Sequence, residues 1–181
     1  MNKAKTYIAA FVLVALLFTL GPALLVLLVD PYHIYHKGFI KPVLFSTSER
    51  YQNAGLINSY LDGHDAIIIG SSLSQNFDAE QVSRALGWKN TMRLTVNAST
   101  DEMPQEHLQV LDKALSTGQI RHVLWEIHPQ YLWVKPEALY TVSENFPAYL
   151  YNRNLLDDYR YVFNEDVVRP LYPYFFYLAL F

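Results

Sequence analysis

Ala66-Ile67-Ile68-Ile69-Gly70-Ser71-Ser72 is the stretch that decides the fold. A short β-branched run of this kind reads as a buried strand of an α/β sheet. Gly70 and the two serines stop it abruptly. Open α/β sheets bind their ligands just past the carboxyl ends of their strands. A serine placed there is a nucleophile, an anion-binding hydroxyl or a turn residue, and the rest of the chain bears on which.

Working outward, residues 38–65 read as a linker followed by a short helix over Glu49 to Tyr60. After the strand, Asp78 can cap a helix running through Leu86, with Gly87 just past its end. Leu94–Asn97 resembles a second strand, ending in polar Asn97, Ala98, Ser99 and Thr100. Asp101 then caps a helix with Pro104 in its first turn, Leu108, Leu111 and Leu115 as its apolar stripe and Gly118 at its end. His122–Ile127 is the third strand, stopped by Pro129. The order β-α-β-α-β predicts an α/β domain with a parallel sheet and right-handed crossovers. In a flavodoxin-type strand order the first and third strands are neighbours at the switch point. That order would gather Ser71-Ser72, His128-Pro129 and Asn97 to Ser99 at one edge.

Ser72 is the candidate nucleophile. A serine hydroxyl becomes one only when a base takes its proton and donors stabilise the oxyanion; otherwise it is a turn serine satisfying local backbone groups. Position 74 is serine, so the stretch is not a Gly-x-Ser-x-Gly elbow, and no Gly-Lys-Ser/Thr follows to make a phosphate-binding Walker loop. A simpler phosphate cradle stays open. Asn97 can donate its amide to an oxyanion, or cap a loop. Glu126 and His128 alternate onto one strand face, as an acid–base pair or as polar residues meeting solvent. His64, His107 and His122 read as surface or loop residues.

Tyr7 to Val29 carries no charged residue. At a rise of 1.5 Å per residue it is long enough to cross a hydrocarbon layer of roughly 30 Å. Lys3 and Lys5 precede it and Asp30 follows it, which places the short N-terminus in the cytoplasm and the remainder outside. A cleaved signal peptide is the competing reading, but Asp30-Pro31-Tyr32 offers no small-x-small cleavage site. Gly21 and Pro22 sit inside the run, where a kink is open to the helix and membrane helices tolerate one. Tyr32, His33, Tyr35 and His36 read as an interfacial belt at headgroup level. His33 and His36 lack the further ligands a metal site needs. The Asp30-x-x-His33 spacing reads as coincidence.

The chain of 181 residues is long enough for one domain. It contains no cysteine, which removes disulfides and thiolate chemistry. A net charge of −3 gives no reason to expect nucleic acid as a partner. No metal or organic cofactor is expected. Aromatic residues make up 15%, tyrosine leading, which fits a large core, a membrane interface or sugar stacking.

The anchor, Asp30-Pro31-Tyr32, Arg50, Ile-Ile-Ile-Gly-Ser-Ser-x-Ser-Gln-Asn-Phe-Asp from Ile67 to Asp78, Val-Asn-Ala-Ser from Val96 and Val-Leu-Trp-Glu-Ile-His-Pro from Val123 together form a pattern. Over roughly residues 25–175 it resembles the membrane-anchored, periplasmic SGNH-hydrolase-like proteins, relatives of those that handle acyl groups on cell-envelope polysaccharides. The resemblance implies Ser72 as nucleophile, with Asn97, Ala98 or Ser99 helping its backbone N–H form the oxyanion hole. Two departures stand out. Glu126-Ile127-His128 occupies the place of the family's third-block asparagine, and no late Asp-x-x-His base follows Ser72. The apolar stretch Tyr172–Phe181 then leads us to expect the N-terminal portion of a longer protein.

The expected architecture is a cytoplasmic N-terminus over 1–6, a transmembrane helix over 7–29, a juxtamembrane segment and linker over 30–60, and a partial SGNH/flavodoxin-like three-layer α/β domain over 61–181. The expected activity, in the full-length form, is acyl-ester hydrolysis or acyl transfer on cell-envelope glycans through Ser72. Little or no turnover is expected of this chain alone, because it lacks a convincing general base. The partners are the lipid bilayer and an envelope polysaccharide or acyl-donor protein. The rival expectation is a non-catalytic, membrane-anchored envelope scaffold.

Overall fold

The computed structural model describes residues 3–37, 48–96, 104–127, 129, 133 and 136–172. Asn97 and His128, and the Asp101 cap, lie outside them. Helix α1 (Lys3–Val29) runs unbroken through Pro22. Among the described residues it is the one helix long and apolar enough to cross a membrane. Its side chains point outward except near its end, where Ala23 and Val26 are buried.

Helix α2 (Glu49–Gly55) continues as a wider π turn over Leu56–Tyr60, covering the expected helix. Strand β1 (Ala66–Gly70) is buried along its whole length. Helix α3 (Ala79–Leu86) has the predicted ends: the Asp78 carboxylate accepts from the N–H of Glu80 and Gln81, and Gly87 takes a left-handed φ of 70°. Strand β2 (Thr91–Thr95) begins three residues earlier than expected and ends before Asn97. Helix α4 (Pro104–Ser116) and strand β3 (His122–Trp125) complete the unit. Both β2 and β3 pair parallel to β1, giving the order β2-β1-β3. The first and third strands are therefore neighbours.

The register sets what each face buries. Ile67 and Ile69 pair with Met92 and Leu94, and all four join Ala54, Ile57, Val110 and Ala114 in one core. The alternate positions, Ala66 and Ile68, face the side of Thr91, whose hydroxyl meets Ser83 of α3 at 2.6 Å. Each fully buried isoleucine contributes about 1.5–3 kcal/mol. The face of α4 differs from expectation. Glu106, His107, Val110 and Ala114 are its buried residues, while Leu108 and Leu115 are largely exposed and Leu111 packs at the margin. His107 is thus a core residue and not a surface one.

The segment after α1 is also unlike an interfacial belt. Tyr32, His33 and Ile34 are buried in protein. Asp30 is fully buried, with φ of 42°. Its carboxylate accepts from the N–H of Ile34 (3.0 Å), Tyr35 (2.7 Å) and His36 (2.9 Å), and from the Tyr161 hydroxyl (3.0 Å). The backbone so folded docks on α2. The Ser59 hydroxyl donates to His33 O at 2.7 Å and Asn58 Nδ2 to Ile34 O at 2.9 Å. A Cβ on Gly55 would lie 1.6 Å from Tyr32 O, so only glycine permits this approach. The remaining amides are met as well, Tyr32 N by the Tyr161 hydroxyl at 3.2 Å and His33 N by Asp30 O at 2.8 Å, and a loop with its amides satisfied internally need not face water. Helices α5 (Tyr159–Val162) and α6 (Glu165–Val168) pack against α1 and complete this end.

Candidate functional site

The site stands at the carboxyl end of β1, where the apolar strand gives way to Gly70-Ser71-Ser72. Strand β3 ends beside it: Glu126 N still donates to Ile69 O at 2.9 Å, which turns the Glu126 side chain toward Gly70. The carboxylate then collects the serine turn. Ser71 N donates to Oε2 at 3.0 Å, Ser71 Oγ to Oε1 at 2.8 Å, and Ser74 N to Oε2 at 3.1 Å. The Ser74 hydroxyl closes the loop by donating to Ser71 O at 2.8 Å. Gly70 makes room for all of this. A Cβ there would fall 2.4 Å from Ser74 Oγ and 2.6 Å from Glu126 Oε2.

Burial pushes the Glu126 carboxyl upward, but the hydrogen bonds from Ser71 and Ser74 outweigh it and hold the group below the ordinary range. Glu126 is therefore a carboxylate committed to shaping the turn. The serine it grips is Ser71. Ser72, one residue on, is exposed at the tip, and among the described residues no side chain meets its hydroxyl. A one-residue offset within Gly-Ser-Ser thus separates a structural serine from a presented one. Downstream, Arg93 donates to Gln75 O at 2.6 Å and Gln75 Nε2 to Glu49 Oε1 at 2.7 Å, tying the turn to β2 and α2.

A second polar layer lies beneath. His107 is fully buried, with its ring bonded to the Gly70 backbone. Desolvation lowers its pKa despite the attraction of Glu106 and Glu126. The Gly70 carbonyl also accepts from Val96 N at 2.9 Å, so the strand end is held from two sides. Glu106, with no exposed surface, receives Arg50 Nε at 2.9 Å and Ser143 N at 2.8 Å. Arg50 is itself only 18% exposed. Such a pair returns its desolvation cost only when both partners are well bonded, as they are here. The Tyr151 hydroxyl donates to Arg50 O, and burial raises its pKa.

Ser72 and Glu126 are therefore brought to one strand edge, linked through Ser71 and not by direct contact. Asn97 and His128 follow the ends of the two flanking strands but lie outside the described residues. Sequence reading gives Ser74 and Glu106 no structural part in the site, places Ser71 at the sheet edge without its bond to Glu126, and takes His107 for a surface or loop residue, whereas it is buried. The signal for Glu106 and His107 was available: they precede Val110 and Ala114 at helical spacing, on the same side of α4. Among the described residues there is no group of three or more His, Asp or Glu side chains able to hold a metal ion. Comparison of the chain with protein-family models, curated proteins and solved structures finds no match to any of them.

Proposed function

We propose that the chain is a single-pass membrane protein with an SGNH-like extracytoplasmic domain. In this reading it hydrolyses or transfers acyl esters on cell-envelope glycans through Ser72. The observation that carries the proposal is the grip of Glu126 on Ser71 and Ser74, which leaves Ser72 outward at the carboxyl end of the central strand. A nucleophile on a pinned turn keeps its geometry through the reaction. Ser72 would attack the ester carbonyl, and its own N–H and Asn97 would stabilise the oxyanion of the tetrahedral intermediate. Collapse of that intermediate would expel the alcohol, carrying the proton taken from Ser72, and leave an acyl-Ser72 that water or an acceptor hydroxyl then cleaves to restore the serine. Glu126, held ionised by its three donors, is a weak proton acceptor, so His128 is the better candidate in this chain for the Ser72 proton.

Two features favour an uncleaved anchor. Ala23 and Val26 belong to the core, so removal of α1 would strip apolar contacts from the domain. Lys3 and Lys5 favour a cytoplasmic N-terminus and an outer domain. The test is an active-site serine probe, a fluorophosphonate, applied to the detergent-solubilised protein. Labelling that disappears in Ser72→Ala supports the enzyme; labelling unchanged by that substitution overturns it. The second reading, a membrane-anchored envelope scaffold, is favoured by the isolation of the Ser72 hydroxyl among the described residues. Absence of labelling together with retention of an envelope glycan or protein on the immobilised protein would support it.

A further inference from the structure

Residues 155–172 return to the end of α1. Helices α5 and α6 pack against α1. The Tyr161 hydroxyl reaches the Asp30 carboxylate, and Tyr35 Oη donates to Asp158 O at 3.0 Å. While Tyr161, Val162, Val167 and Val168 turn inward, residues 155–163 of the same run leave four large apolar side chains open, with the exposed charges of Arg160, Glu165, Asp166 and Arg169 beside or after them. Leu155 is 83% exposed, Leu156 82%, Tyr159 58% and Phe163 60%. Their spacing, Leu156 to Tyr159 to Phe163, puts them on one face of a helical path. Singly exposed apolar residues need no explanation, but a contiguous set of this size marks a contact surface.

The height of this surface follows from helix geometry. From Tyr7 to Val29 the apolar stretch rises about 34 Å against a hydrocarbon layer of roughly 30 Å. Val29 therefore stands near the outer edge of that layer. Ala23, the first buried residue of α1, lies about 9 Å before Val29 along the axis. The domain thus begins to cover α1 about 9 Å inside that edge, so the elements packed on α1 reach the bilayer boundary. Because Asp30 and Gly55 lock the connection, α1 has no free hinge that would lift the domain away.

We propose that the open face of residues 155–163, with Tyr172, lies in the headgroup region of the same bilayer that α1 crosses. The domain then meets the membrane at a second place and is held against it, with Leu155, Leu156 and Phe163 toward the acyl boundary, Tyr159 and Tyr172 among headgroups, and exposed Arg160 available to lipid phosphate. This rests on the reading that α1 spans a bilayer.

The chain has no cysteine, so single cysteines can be placed at will. The full chain carrying Leu156→Cys, Phe163→Cys, Leu86→Cys or Leu17→Cys is labelled with a polarity-sensitive fluorophore (NBD) in vesicles containing doxyl-labelled lipids. The expected result is deep quenching at position 17, blue-shifted emission with quenching by headgroup-proximal doxyl lipid at 156 and 163, and a water-like, unquenched signal at 86. Quenching at 17 with water-like emission at 156 and 163 overturns the proposal while leaving the span intact. No quenching at 17 removes the span itself and the proposal with it. A blue shift at 156 and 163 that vanishes when protein is diluted in lipid assigns the face to a second copy and also overturns it.

Discussion

Asp30 and Glu126 do the same chemistry in two places with opposite consequences. Each carboxylate follows the end of a regular element, α1 or β3, and gathers neighbouring donors that would otherwise be unsatisfied. Asp30 is fully buried, and its loop disappears between α2 and Tyr161. Glu126 is only partly buried, and the turn it gathers ends at the surface with Ser72 exposed. The first arrangement hides a loop to weld a helix to a domain. The second holds a loop still while leaving its tip free. The difference lies in what covers the carboxylate, and both cases use a glycine to admit the partner.

That comparison is most sharply tested at the glycines. In Gly55→Ala the new methyl meets a backbone carbonyl at 1.6 Å, which cannot rotate away. We expect a loss of about 4 kcal/mol, read as a lowered unfolding midpoint in detergent. Asp30→Ala should come next, at about 3 kcal/mol, because three amides and a phenol lose their acceptor in a dry site. Its second signature is orientational: spin labels on α1 and on α3 should give a broadened distance distribution. A distribution as narrow as that of the parent protein would break the claim that Asp30 welds the two parts. Gly70→Ala should cost less, about 2 kcal/mol, since the atoms it meets belong to the side chains of Ser74 and Glu126, which can move.

Glu126→Gln should cost about 1 kcal/mol, since the site is half-open and water screens the loss. Its pH signature is more telling than its size. The folded pKa lies below the unfolded value, so the contribution is present above the unfolded pKa and fades as pH falls through the folded one. The parent protein should therefore lose more stability than Glu126→Gln on titration from about pH 6 to about pH 3. Parallel curves for the two proteins would sink the assignment of Glu126 as an ionised clamp.

Locally encoded structure was readable before the fold was known. The ends of α3 followed from Asp78 and Gly87 because a cap needs only residues within one turn. β1 followed from Ile67–Ile69, since a run apolar at every position is buried on both faces. The face of α4 differs from the leucine stripe because that stripe counts leucines alone, with His107 read as a surface residue and Glu106 given no role. Their helical spacing to Val110 and Ala114 was visible, but the groups that make their burial possible, Arg50, Ser143 and the Gly70 backbone, lie 56, 37 and 37 residues away. The Asp30 loop failed for the same reason: Tyr32 and His33 read as headgroup residues until Gly55 and Tyr161 are known to stand opposite. At the candidate site the strand-end serines were legible as a pair. Which of them Glu126 would bind depended on the pitch of the turn, which residue types alone do not specify.

Ser72→Ala should have the smallest effect on stability, within about 0.5 kcal/mol, because an exposed hydroxyl with no side-chain partner among the described residues contributes little to the fold. Ser71→Ala, one position earlier, removes a donor to the Glu126 carboxylate and should cost about 1 kcal/mol. The pair of substitutions therefore separates the two roles packed into one Gly-Ser-Ser. Stability should follow Ser71, and reaction with a serine probe should follow Ser72. If Ser72→Ala destabilised the domain as much as Ser71→Ala, the tip would be part of the clamp. The contrast with the buried Asp30 loop would then be one of degree, since both carboxylates would be holding structure alone.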